Sequence, residues 1–280
     1  MIDLHNHLLP GIDDGPADLP TALDMARAAV ANGISHVVCT PHIHIGRYDN
    51  DSHNIAETCS RFNAALQEAG IELKVAAAAE VRFSGELMTR VLDGSIPFLG
   101  QWEGKKVLLL EFPHGEMPFG AERLTQWLLD KGVVPLIAHP ERNKALMNNP
   151  SKLKPFIEQG CLLQVTAASA AGRFGEKAMH LAHELLSNRV VSIMATDAHN
   201  LDHRPPLLQE GLLQAARILG ERGRTSGHRH ALAHRTPAFR LVDCLITRAC
   251  RFRPQDSYLL EVGKPCVDSS VSGRNPFSRR

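Results

Sequence analysis

The chain opens Met-Ile-Asp-Leu-His-Asn-His, which sets two imidazoles, His5 and His7, two positions apart. In extended backbone residues i and i+2 point to the same side, so this pair can share one cation. Seven further imidazoles and carboxylates recur just after short apolar runs: Asp14, His42, Glu80, Glu111, His139, Asp197 and His199. Any one of them alone reads more simply as a solvated loop residue or a cap, and Asp13 competes with Asp14 for such a capping role. Nine such groups placed after six of seven apolar runs point instead to a metal centre. Four carboxylates gathered in one cup would repel one another and resist ionisation, a cost that divalent cations remove. With three or four protein ligands per ion and carboxylates able to bridge, nine residues suit two or three ions. Nitrogen and oxygen donors without cysteine favour Mn, Fe, Mg or Zn over soft metals, and the several carboxylates tilt the choice toward Mn²⁺.

Two arginines lie beside these groups: Arg142 three residues after His139, and Arg204 five after His199. Guanidinium groups at the rim of a cationic site match a planar, bidentate anion such as phosphate. His44 and His114 are candidate substrate contacts. His36, His53, His180, His183 and His203 read as loop or surface residues.

The elements that must position these side chains are legible as a βα rhythm. Strand candidates fall at 2–4, 34–39, 73–79, 107–110, 134–138, 162–165 and 190–195. Between them, apolar residues at helical spacing mark 19–31, 58–69, 121–129, 176–186 and 207–219, with Asp18 a candidate N-cap and Gly33 just past the first helix. Strands each followed by a helix describe a parallel sheet covered by helices, most simply a distorted (β/α)7 barrel of the TIM type, with an open doubly wound sheet as the alternative. In such a barrel all these strand ends share one face. Only the sixth strand, ending near Thr166, brings no strong ligand. This barrel is expected to occupy residues 1–220. Residues 221–280 carry a net charge of +7 and form a divergent basic segment, expected to be partly helical (around 239–249) and disordered over its last 20 or so residues.

Several classes are excluded by what is missing. No run approaches the roughly 18 apolar residues of a membrane span, and the N-terminus lacks the basic and apolar regions of a signal peptide. The six cysteines form no CxxC pair and suit a reducing cytoplasm. None is followed six positions later by arginine, so the phosphate loop of thiol-based tyrosine phosphatases is absent; Cys39 reads as core. The basic tail lacks interleaved aromatics, which argues against nucleic acid. Oligomeric state is not read from these residues.

The strings MIDLHNHLLPGIDDGP, TPH, LLLEFP, AHPER and TDAHN, with Glu80 at a strand end, resemble the polymerase and histidinol phosphatase (PHP) superfamily. More narrowly they resemble its CpsB/YwqE-type bacterial protein-tyrosine phosphatases, over residues 1 to about 219. The resemblance implies a manganese enzyme acting on a tyrosine autokinase that controls capsule and exopolysaccharide export. It implies one ion held by His5, His7, Glu80 and Asp197, a second by Glu80, Glu111 and His139, and a third by Asp14, His42 and His199. Arg142 and Arg204 match the family's arginines. The expected reaction is attack on phosphorus by a hydroxide held between ions at Glu80, with Arg142 and Arg204 clamping the phosphoryl oxygens and Asp14 or His42 donating a proton. The rival readings are a phosphatase of a small metabolite such as histidinol phosphate or a nucleotide, and a metal-binding regulatory module without catalysis.

Overall fold

Seven parallel strand segments, one from each apolar run, frame the molecule. The computed structural model describes residues 1–225, 251–252 and 260–262. Its strands are β1 (Ile2–Asn6), β2 (His36–Cys39), β3 (His42–Ile43), β4 (Lys74–Ala77), β5 (Glu80–Arg82), β6 (Gly100–Trp102), β7 (Lys105–Glu111), β8 (Val133–Ile137), β9 (Leu162–Thr166) and β10 (Ile193–Ala195), followed by β11 (Arg251–Phe252) and β12 (Leu260–Val262). Strands β2 and β3 are two parts of one interrupted strand, and so are β4 and β5. The ladders β1–β2–β4 and β5–β7–β8–β9–β10 are parallel throughout. A parallel bridge between Asn6 and Ala198 returns the end of β10 to β1, supported by Asp197 N donating to His5 O at 2.8 Å and His7 N to Ala198 O at 2.8 Å. The result is the distorted (β/α)7 barrel.

The helices are α1 (Leu19–Ala31), α2 (Ser52–Glu68), α3 (Leu87–Asp93), α4 (Ala121–Asp130), α5 (Lys144–Asn148), α6 (Lys154–Gln159), α7 (Ala167–Ala170), α8 (Glu176–Ser187) and α9 (Gln209–Thr225). Asp18 caps α1 by accepting from Thr21 N, and Gly33 follows with φ +85°. Helix α2 starts six residues before the apolar period does, because Asp51 and Asn54 form a reciprocal capping box. Close packing of α9 against α7 depends on Gly211, where a Cβ would stand 2.5 Å from Ala167 Cα.

Besides the short helices α3, α5, α6 and α7, two strand pairings escape the βα reading. Strand β6 pairs antiparallel with β7 across Glu103-Gly104, both at positive φ, as a two-residue hairpin requires. On its other edge β6 pairs with β12, which pairs with β11; the apolar patterning of the tail does not suggest either strand. The helix expected at 239–249 lies outside the described residues, as does nearly all of the final segment.

The interior explains how the cup is filled. Ala76 and Ala78, Val107 and Leu109, Leu162, and Ile193 and Ala195 share one buried apolar cluster. Stepping on by two residues along each strand reaches Glu80, Glu111, Gln164 and Asp197, all buried. The period of 2 that packs the barrel therefore also aims its polar residues. Outward-facing Val37, Cys39, Leu108, Leu110, Leu163 and Val165 pack on the helices, so Cys39 is core.

The seam between first and last strands is pinned by a side chain. Buried Asp3 accepts from Thr196 N (2.9 Å), the Thr196 hydroxyl (2.6 Å) and Asn6 Nδ2 (3.3 Å). Replacing Asp3 with Ala strands these donors at about 1–3 kcal/mol each. The expected outcome is a fall in thermal midpoint of roughly 10 °C or more, read by circular dichroism.

Candidate metal centre

The bases of the cup are three histidines whose outer nitrogens are already committed. His5 Nδ1 bonds to Gln164 Oε1 (2.9 Å), His7 Nδ1 to Asp13 Oδ2 (2.7 Å) and His199 Nδ1 to the Asp197 carbonyl (3.0 Å). With each Nδ1–H donating outward, each Nε2 lone pair faces inward, the arrangement that ligating histidines adopt. Asp13 also accepts from Gly15 N and His42 N, so it braces the cup from behind and leaves its neighbour Asp14 to face it. Gly15 is obligatory in this loop: a Cβ there would stand 2.1 Å from His7 O.

Four ligand atoms converge at the centre. His5 Nε2 lies 3.4 Å from His7 Nε2, 3.4 Å from Glu80 Oε2 and 3.2 Å from Asp197 Oδ1; His7 Nε2 lies 3.5 Å and 3.4 Å from the same two oxygens. These five separations, 3.2–3.5 Å, are those of ligand atoms that each lie about 2.1 Å from a shared divalent ion. Among the described residues, buried Glu80 Oε2, Asp197 Oδ1 and His199 Nε2 have no hydrogen-bond partner. Orphaned lone pairs of this kind, Glu80 and Asp197 in the central group and His199 beside Asp14 and His42, fit bound cations. A second group joins His7, Asp14, His42 and His199, and a third joins His42, Glu80 and Glu111. In the second, Asp14 Oδ1 stands 3.3 Å from His42 Nε2 and 3.4 Å from His199 Nε2. His139 differs from the expected grouping: its Nε2 lies 2.8 Å from Glu80 Oε1, while His42 is the imidazole grouped with Glu80 and Glu111. All nine groups singled out from the sequence thus line one cup.

Electrostatics follow from these distances. Burial opposes ionisation of Glu80, yet His5, His42 and His139 hold it well below the usual carboxylate range. Burial likewise works against Asp197 and Asp14, but Arg142 and Arg204 lower the first, and His199 and His42 lower the second. Glu111 goes the other way, raised by burial and by Glu80 beside it. His42, despite burial, is lifted to about 9 by Glu80. His139 falls to about 4 through burial and Arg142, and His199 to about 4 through burial and His7.

Both expected arginines reach the site through Asp197: Arg142 and Arg204 each engage its outer oxygen Oδ2, opposite the one facing the cup. Both also line a cavity of about 160 Å³ over the centre, with His44 and His114. The same cavity is lined by Arg47, Tyr48 and Arg82, which the sequence reading passed over; Arg82 pairs with Glu111 at 2.9 Å. Gln164 was also missed, and Asp13 was read only as a rival cap, not as the brace of His7. A buried amide in the one strand without a ligand, and an acid beside another acid, were the available signals. His139 (φ +30°) and Asp197 (φ +52°) sit in left-handed backbone, strain of the kind held at functional sites.

The sequence model described as "Capsular polysaccharide synthesis, CpsB/CapC" matches residues 1–226. The chain belongs to the CpsB/CapC family. Among family relatives, the tyrosine-protein phosphatase YwqE of Bacillus subtilis is 37% identical over 212 residues, covering 76% of this chain and 82% of that one. The tyrosine-protein phosphatase CpsB of Streptococcus pneumoniae is 29% identical, covering 75% and 87%. A solved structure from work on these two CpsB/CapC proteins, described as unique metal-dependent tyrosine phosphatases, superposes with a TM-score of 0.73 at 36% identity, covering 78% of this chain and 87% of that one. No helix among the described residues is long and apolar enough to cross a membrane.

The pKa directions give a signed expectation for chelator-treated protein. His139 and His199 are neutral in the fold but charge in the unfolded chain below about pH 6.5, so their contribution is complete above that pH and drains as pH falls toward about 4. The lowered carboxylates act in the same direction. His42, with His5 and His7 also raised, contributes below about pH 6.5 and loses that contribution as pH rises, through about 9 for His42. The thermal midpoint should peak near neutrality and fall on both sides; a flat profile from pH 4 to 9 would contradict these environments.

Proposed function

We propose that this chain is a metal-dependent protein-tyrosine phosphatase that acts on the phosphorylated tail of a bacterial tyrosine autokinase in capsule or exopolysaccharide synthesis, in the cytoplasm. The observation that carries the reading is the converging set His5, His7, Glu80 and Asp197 beneath a cavity lined by four arginines. The family's tyrosine phosphatases support it over a small-metabolite phosphatase or a non-catalytic module. Buried free cysteines Cys39, Cys59 and Cys161 suit a reducing compartment and supply no nucleophile.

In this proposal His5, His7, Glu80 and Asp197 would hold one ion, Glu80 and Glu111 with His139 a second, and Asp14, His42 and His199 a third. Four carboxylates beside five imidazoles tilt the site toward Mn²⁺. Bound divalent cations here supply an activated water and neutralise phosphoryl charge. The chain's own residues do the rest. Asp13 and Gln164 fix the imidazole tautomers. Arg142 and Arg204, steered by Asp197, orient the phosphoryl oxygens at the cavity wall. A phenolic leaving group, with a pKa near 10, needs little help to depart; the adjoining Asp14 and His42 stand where they can pass it a proton.

Hydrolysis of p-nitrophenyl phosphate and phosphotyrosine peptides should vanish with EDTA, return with Mn²⁺ and resist thiol alkylation. In metal analysis by mass spectrometry, His139→Ala should lose bound metal. Arg204→Ala should keep it while kcat falls about 10²–10³-fold, as for loss of one anion-stabilising donor. Faster turnover of histidinol phosphate or nucleotides than of phosphotyrosine peptides would overturn the substrate assignment.

A further inference from the structure

The cavity over the metal centre is walled almost wholly by charge: carboxylates, imidazoles and guanidinium groups. Such a wall recognises a phosphoryl group, and apart from its guanidinium and imidazole planes it offers a phenyl ring little apolar surface. Among the described residues lining it, Tyr48 alone carries a benzene ring. Tyr48 sits on a closed turn in which His44 and Tyr48 exchange backbone hydrogen bonds of 3.0 and 2.7 Å, with Gly46 at φ +78° making the reversal. The turn is anchored behind by buried Asn50, whose side-chain amide donates to Ile12 O (2.9 Å) and His42 O (2.8 Å). Tyr48 is therefore held in place, half-buried, nearly parallel to the His42 imidazole at 12° and 5.5 Å between centroids. Its neighbour Arg47 places a guanidinium 5.1 Å from the Tyr48 ring centre. Of the four arginines lining the cavity, Arg82 is committed to Glu111, and Arg142 and Arg204 to Asp197; Arg47 makes no ion pair among the described residues.

We propose that the His44–Tyr48 turn is the aryl-recognition element of this site: the phenyl ring of the substrate packs against Tyr48 and the Arg47 guanidinium while its phosphoryl group reaches the centre beneath. The inference rests on the phosphotyrosine reading and names the residues that would make the site prefer aryl over alkyl phosphates. Aromatic and guanidinium surfaces pack favourably on a phenyl ring, and a ring held beside His42 leaves its ester oxygen directed at the Asp14–His42 side of the cup.

Binding of two non-hydrolysable probes to the Mn²⁺-loaded full chain separates ring recognition from phosphoryl recognition. In calorimetry the wild type should bind phenylphosphonate more tightly than methylphosphonate. In Tyr48→Ala the phenylphosphonate Kd should rise about tenfold, as expected for loss of one aromatic contact and its buried area, with methylphosphonate Kd moving less than twofold and metal content unchanged. Tyr48→Phe should restore the preference, and Arg47→Ala should weaken it partly. An equal loss for both probes, or an unchanged ratio, would overturn the assignment of Tyr48. Failure of the metal-loaded wild type to hydrolyse any phosphotyrosine peptide would instead sink the phosphotyrosine reading itself, so the two failures are distinguishable.

Discussion

A carboxylate with no exposure to water, pressed among four imidazoles, governs the design of this molecule. Glu80 has ring nitrogens of His5, His7, His42 and His139 within 2.8–3.5 Å. Those imidazoles come from three separate strands, so the carboxylate keeps its place only if β1, β3, β5 and the end of β8 are locked in register. Burying such a charge is expensive unless it is paired and hydrogen-bonded. The cup supplies that pairing, and the parallel ladder supplies the register. Asp197 repeats the principle from the opposite wall, with histidines on one oxygen and two arginines on the other. The arginines thus have two partners to choose between, the fixed carboxylate behind and an anion in front. Their positions are set before any anion arrives.

Most of this was legible because one periodicity serves two purposes. Alternation along a strand marks what fills the barrel, and where the apolar residues stop, the next inward position is the functional one. That is why Glu80, Glu111 and Asp197 could be read from the chain, and why the seven segments were found. The elements that escaped have no period to betray them. The hairpin β6–β7 depends on two positive-φ residues, and α5, α6 and α7 are too short for an amphipathic stripe to develop. Gln164 escaped because an amide in an apolar strand looks like a tolerated polar residue; its role is visible only once His5 Nδ1 and His139 N are seen to share its oxygen. The grouping of His42 rather than His139 with Glu111 is likewise a matter of side-chain reach, which spacing along a chain does not encode.

The two left-handed residues at strand ends follow the same logic. His139 and Asp197 must leave a parallel strand and turn their side chains back over its end, and for non-glycine residues that conformation costs of order 1–3 kcal/mol. Glycine would adopt it without strain but has no donor atom to place there. The neighbouring contacts of Glu80 and the arginines hold both residues in a geometry that they would not choose alone.

The seam at Asp3 and Thr196 has a consequence for how the molecule comes into being. Its partners are separated by 193 positions, and the central tetrad draws His5 and His7 from one side of that seam and Asp197 from the other. During synthesis the paired histidines emerge almost at once, whereas the oxygen that completes their set emerges only when the last strand of the ring does. A half-made chain can offer a loose two-nitrogen hold on a cation but never the finished cage. If the tetrad holds a cation as proposed, its capture is tied to ring closure, and the ion would act as a late rivet across this seam.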